Sequence, residues 1–117
     1  MTRGALAATG VGVALAIAVA PAPAAAQGGA CAREAAAIRR AEAQLPRIEV
    51  APPGDRQIVC ITLETNILFA RRHAAHLAQC PRSPLAAGGE AWRRTAARYS
   101  AQFQERNCKP TIRGYRG

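Results

Sequence analysis

The chain has 117 residues, a formal net charge of +9 and five aromatic side chains. That length holds one domain. So few aromatics, set at spacings that suit a core, leave no stacking platform of the kind single-strand nucleic-acid binders use. Nor is there a helix-turn-helix spacing, so no nucleic-acid partner is expected.

Residues 1–26 read as a cleaved secretory signal. Arg3 supplies a positive start, an apolar run from Ala5 to Ala20 follows, and Ala24-Ala25-Ala26 offers small residues before Gln27. The run is shorter than the roughly 20 residues of a membrane-spanning helix, and Pro21 ends it. No twin-arginine pair is present in this segment. Cleavage after residue 26 leaves 91 residues carrying 15 of the 16 basic side chains and all seven acids. All four cysteines, Cys31, Cys60, Cys80 and Cys108, lie beyond the cleavage point. An exported chain with an even cysteine set points to disulfides in the periplasm or outside the cell. A domain this small buries only about 60–65% of its unfolded surface, so covalent staples are a natural supplement.

The domain proper is expected over 27–108, as three helices. The first spans about 30–45: Cys31, Ala35, Ile38, Ala41 and Leu45 recur at helical spacing and Pro46 stops the run. Pro52-Pro53-Gly54 marks a linker, and Asp55 is placed to cap the next helix. The second helix spans 56–79. Its row Cys60, Leu63, Ile67, Ala70, Ala74 and Leu77 alternates at three and four residues. Beside it runs a second row, Phe69, His73, His76 and Cys80, as suits a central helix. Ile58–Leu63 alone is β-branched enough for a strand, but the sustained helical period favours a helix. A second linker follows from Pro81. The third helix spans about 90–107, burying Trp92, Ala96, Tyr99 and Phe103, with a start at either Pro84 or Glu90. Residues 109–117 form an expected flexible basic tail.

Four cysteines allow three pairings. On one helix, Cys60 and Cys80 are about 30 Å apart at 1.5 Å per residue, far beyond the roughly 7 Å limit for Cα atoms in a disulfide. In an up-down-up bundle the start of helix one meets the end of helix two, and the start of helix two meets the end of helix three. The expected pairs are therefore Cys31–Cys80 and Cys60–Cys108. The third pairing needs parallel neighbours and longer crossovers. The predicted fold class is all-α: a small three-helix up-down-up bundle stapled by two disulfides.

Chemistry-bearing motifs are sparse. CxxC, CxxCH, a phosphate-binding glycine loop and a nucleophile elbow are all absent from the sequence. No catalytic residues and no cofactor are predicted, and the chain reads as a non-enzyme. The one concentrated candidate is His73-x-x-His76-x-x-x-Cys80, whose spacing puts two imidazoles and a sulfur on one helix face, where zinc or copper could bind. Against it, Cys80 is better used in a disulfide and no carboxylate is evident beside it. Glu64, next to the Leu63 row, is expected to be partly buried or paired with an arginine of a neighbouring helix.

The functional expectation is a small exported bacterial envelope protein that binds another envelope protein through a rigid helical surface, as inhibitors, chaperones and immunity proteins do. The alternative is a cationic binder of anionic lipid or polysaccharide through Arg39, Arg40, Arg71, Arg72, Arg93, Arg94 and Arg98. These charges are spread along the chain without a block, and a GC-rich genome accounts for abundant Ala and Arg without function. Metal binding at His73 and His76 is a second alternative.

Overall fold

The computed structural model describes Gly4, residues 10–13 and residues 24–112, with the side chains of 24–27 excepted. Three helices form the fold: α1 (Ala24–Ala43), α2 (Arg56–Gln79) and α3 (Gly89–Glu105), with short 3-10 turns at Ile48–Val50 and Ala86–Gly88. Among the described residues there is no strand, and no helix is long and apolar enough to cross a membrane. The all-α bundle expected from the periodicity is the observed architecture. Apart from Gly4, residues 10–13 and the first turn of α1, the expected signal segment lies outside the described residues, as does the expected tail from residue 113.

Each helix boundary has a local cause. The bounds of α2 coincide with those read from the sequence: Asp55 caps it, its Oδ1 accepting the Ile58 amide at 3.1 Å, and Pro81 follows its last turn. α1 ends before Pro46, as expected, but begins at Ala24, ahead of the predicted start: the alanines there are strong helix formers, and the Gly28-Gly29 pair that follows them weakens the stretch without breaking it. α3 begins at Gly89, after the 3-10 turn, which settles its start beside Glu90 rather than at Pro84. A Cβ on Gly89 would lie 2.6 Å from the Leu77 side chain, so this glycine lets α3 approach α2 closely. α3 ends in a left-handed Asn107 (φ 53°), with Cys108 N–H bonded to Phe103 O and Asn107 N–H to Gln104 O, both 3.0 Å. This paired closure is a Schellman turn, and asparagine tolerates the left-handed position. The turn reverses the chain and delivers Cys108 to the start of α2.

α2 is the central helix, with a core cluster on each side. Val59, Leu63 and Ile67 pack with Tyr99, Phe103 and Cys108 of the α3 end. Ala35 and Ile38 of α1 pack with Phe69 and Leu85, joined by the partly buried Leu77 and Trp92. All four members of the second row, Phe69, His73, His76 and Cys80, are buried. The disulfides are Cys31–Cys80 and Cys60–Cys108, with Cα atoms 5.9 and 5.5 Å apart, the pairing that antiparallel helices of this length require. No cysteine is free, which fits an oxidising compartment outside the cytoplasm.

Glu64 departs from its expected partner. It is buried, and its acceptors are filled not by an arginine but by the segment after Cys108. Oε1 takes the amides of Thr111 (2.8 Å) and Ile112 (2.6 Å), and Oε2 takes the Thr111 hydroxyl (2.9 Å). A buried carboxylate needs such donors, and these hold the start of the C-terminal segment against α2.

Candidate functional site

Two regions of the molecule carry unusual chemistry, one beside each disulfide. The first is built where α1 crosses the end of α2. Cys31 and Glu34 are three residues apart on α1 and share a face; His76 lies in the last turn of α2, and Cys80 caps that helix with its N–H bonded to His76 O. The Cys31–Cys80 bond brings that face of α1 to the end of α2. Glu34 Oε1 then lies 2.5 Å from His76 Nδ1, and His76 Nε2 lies 2.6 Å from Ser83 Oγ in the turn after α2. A carboxylate only accepts hydrogen bonds, so Nδ1 carries the proton. In the neutral ring Nε2 then accepts the Ser83 hydroxyl proton. The Ser83 oxygen also accepts the Leu85 amide at 3.2 Å.

Carboxylate, imidazole and serine in this order form the hydrogen-bond chain of a hydrolytic triad. The burial, however, runs the opposite way. The His76 side chain is 1% exposed and the Glu34 side chain 50%, while Ser83 is buried. A nucleophilic serine must face its substrate beside donors aimed at the developing oxyanion. Here the Leu85 amide is directed at the serine oxygen itself. The arrangement works as a clip joining α1, α2 and the turn before α3.

His73, placed with His76 in the sequence motif, stands apart from this group. Among the described residues, the cluster of ligand-type atoms lying within 4.8 Å of one another is Glu34, His76 and Cys80. His73 instead lies among aromatic rings, its centroid 6.2 Å from both Phe69 and Trp92. Its Nδ1 is buried without a hydrogen-bond partner. Burial lowers its pKa from 6.5; the Glu42 carboxylate partly opposes that shift and nearby His76 adds to it. The ring lines a cleft between α2 and α3 with Ala70, Ala74, Gly89 and Arg93.

The second region is a cleft of about 480 Å³ beside Cys60–Cys108, lined by Arg56, Gln57, Ile61, Asn107, Lys109 and Thr111, with no carboxylate in its wall. Arg56 donates through Nη2 to the carbonyls of Arg106 (2.9 Å) and Asn107 (2.6 Å), fixing the α3 turn to the start of α2. Ile58 and Ile61, which share a face of α2, are 41% and 45% exposed.

The seven arginines singled out in the sequence, Arg39, Arg40, Arg71, Arg72, Arg93, Arg94 and Arg98, are all exposed and distributed over the three helices. Arg94 pairs with Glu90 at 3.1 Å, and the Arg98 guanidinium lies 5.4 Å from the centroid of the Tyr99 ring. Glu34 and Ser83 were not marked by the sequence reading. The signal for Glu34 was present: once Cys31 is paired with Cys80, its helix neighbour one turn on must face the helix neighbour of Cys80, which is His76. Comparisons with known protein families, with curated proteins and with solved structures found no match.

Proposed function

We propose that this chain is a small exported envelope protein, resident in the periplasm or secreted, that acts without catalysis as a binding or accessory module. Its binding surface is the cleft beside Cys60–Cys108. The observation that carries the reading is the exposed Ile58–Ile61 pair on a rigid helix, beside a cleft whose charged lining residues, Arg56 and Lys109, are both cationic. Isoleucines left at the surface beside like charges favour a partner segment that offers apolar side chains flanked by carboxylates. The disulfide at the cleft base and the Arg56 bonds to the α3 turn hold its walls in place before binding, which reduces the ordering cost of association. Export rests on the reading of residues 1–26 together with the closed disulfides.

A second reading is favoured by the exposed arginines, which suit anionic lipid or polysaccharide. A pull-down of the tagged mature chain from its host's envelope, at low and high salt, separates the two. A packed apolar interface persists in salt, whereas surface charge attraction is screened. The expected result is one stoichiometric protein that survives high salt and is lost with the Ile58→Asp/Ile61→Asp variant, whose changes lie at exposed positions. Recovery of lipid or polysaccharide alone, lost in salt and indifferent to that variant, would replace the first reading with the second.

A further inference from the structure

At the opposite end of α2, we propose that the Cys31–Cys80 disulfide is the oxidised form of a metal site. Its reduction would assemble a four-ligand Zn²⁺ centre from Cys31, Glu34, His76 and Cys80. This inference is independent of the docking cleft; it keeps His76 and Cys80 of the sequence motif and replaces His73 with Glu34 and Cys31.

The argument starts from convergence. Glu34, His76 and Cys80 already present a carboxylate oxygen, an imidazole nitrogen and a sulfur within 4.8 Å of one another. Cys31 supplies the fourth atom, since its sulfur is bonded to that of Cys80 and the two Cα atoms are 5.9 Å apart. Zinc takes four such ligands tetrahedrally, at about 2.3 Å from sulfur and about 2.0 Å from nitrogen or oxygen. Cys31 lies outside that 4.8 Å group, so as the two sulfurs separate its released sulfur must turn toward the imidazole and carboxylate, which must themselves open slightly. Two thiolates and a carboxylate against a dication leave little net charge, and mixed sulfur, nitrogen and oxygen donors suit zinc.

The surroundings supply a second, independent observation. A metal-bound histidine usually hands its other ring N–H to a fixed acceptor. His76 already has that partner, Ser83 Oγ, at 2.6 Å from Nε2. On metal binding Nδ1 gives up its proton to coordinate, Nε2 takes one up, and the neutral ring donates to Ser83. The other disulfide is a built-in contrast. Among the described residues, no group of three ligand-type side chains includes Cys60 or Cys108.

The redox step balances with a dithiol reductant. The S–S bond breaks, each sulfur gains one electron and one proton, and the reductant closes into its own disulfide. Zinc then displaces the two thiol protons. Air oxidation or a disulfide donor reverses the sequence and expels the metal.

The test uses the full chain, reduced with a water-soluble phosphine, which becomes its oxide as water supplies the oxygen and the two protons. Co²⁺ is the spectroscopic probe, and Zn²⁺ affinity is read by competition with a chromophoric chelator. The oxidised chain should bind neither ion. The reduced chain should bind one Co²⁺ with the intense visible bands of a tetrahedral thiolate centre, and Zn²⁺ should restore helicity lost on reduction. Glu34→Gln, a change at a half-exposed side chain, should weaken Zn²⁺ binding at least about tenfold, as should His76→Ala. Ser83→Ala keeps all four ligands and should weaken binding less. The proposal is overturned if the reduced chain shows no tetrahedral cobalt bands, or if Glu34→Gln and His76→Ala both bind Zn²⁺ as tightly as the parent. The latter outcome would mean that the cysteines bind as they do in any unfolded chain.

Discussion

The two disulfides join cysteines 49 and 48 residues apart, yet they end in opposite surroundings. Cys60–Cys108 sits against Val59, Leu63, Ile67, Tyr99 and Phe103, at the edge of the core that α2 and α3 share along their length. Cys31–Cys80 sits among Glu34, His76 and Ser83, where α1 touches α2 over a much shorter stretch and contributes two fully buried apolar side chains, Ala35 and Ile38. The same covalent link therefore does different work at the two ends. At the apolar end it reinforces packing that is already extensive. At the polar end it stands in for packing that a narrow, alanine-rich helix cannot provide, and it holds reactive groups in register.

The sharpest way to break this comparison is to remove each staple in turn. Loops of nearly equal size lose similar chain entropy, about 4 kcal/mol each, so Cys31→Ala/Cys80→Ala and Cys60→Ala/Cys108→Ala should lower unfolding free energy by similar amounts. The manner of loss should differ. Without Cys31–Cys80, amide exchange should accelerate across α1 while α2 and α3 keep their protection, because α1 opens as a unit. Without Cys60–Cys108, exchange should rise in α2 and α3 as well. Equal loss of protection across all helices in both variants would show that the two ends are equivalent.

A second difference lies in how each end satisfies its buried carboxylate or imidazole. Near Cys60–Cys108, Glu64 gathers two amides and a hydroxyl from Thr111 and Ile112. Glu64→Ala takes both acceptor oxygens away from these three donors, and should cost about 2 kcal/mol in urea unfolding. It should also release Thr111 and Ile112, seen as loss of their amide protection, and alter the wall of the proposed docking cleft, to which Thr111 belongs. Retained protection at those two amides would mean that Glu64 is incidental to the placement of this segment.

What could be read from the sequence follows from range. The bounds of α2, its Asp55 cap and the two pairings rest on local spacing and the fixed rise of a helix, and these transferred directly. The burial of Phe69, His73, His76 and Cys80 followed from the same periodicity. The early start of α1 was hidden because the alanines before Gln27 suit a signal cleavage site and a helix equally. The partners of Glu64 were hidden for another reason: they are mainly backbone amides, which no residue letter announces. The Glu34–His76–Ser83 chain joins three separate segments, and Ser83 is positioned only by the turn between Cys80 and Leu85, where Ser83 N–H bonds Cys80 O and Ala86 N–H bonds Ser83 O, each at 3.0 Å.

His73 supplies the finest test of the contrast between a satisfied and an unsatisfied imidazole. Only one turn away, His76 has both ring nitrogens engaged, whereas the Nδ1 of His73 is buried without a partner. Burial is the main cause of its lowered pKa, against the attraction of Glu42 from α1 and with the repulsion of His76; Arg93 of α3 lines the same cleft. The unfolded chain therefore takes up this proton more readily than the folded one. Stability contributed by neutral His73 is complete above pH 6.5, the unfolded value, and declines as pH falls from there toward the lower folded value. His73→Phe fits a site already bordered by Phe69 and Trp92 and removes both the unpaired nitrogen and the titration. Urea midpoints between about pH 8 and about pH 5 should show the variant about 1 kcal/mol more stable at the alkaline end, with the gap widening toward acid. A gap that stays constant with pH would mean that burial of the His73 imidazole does not carry the acid sensitivity of the fold.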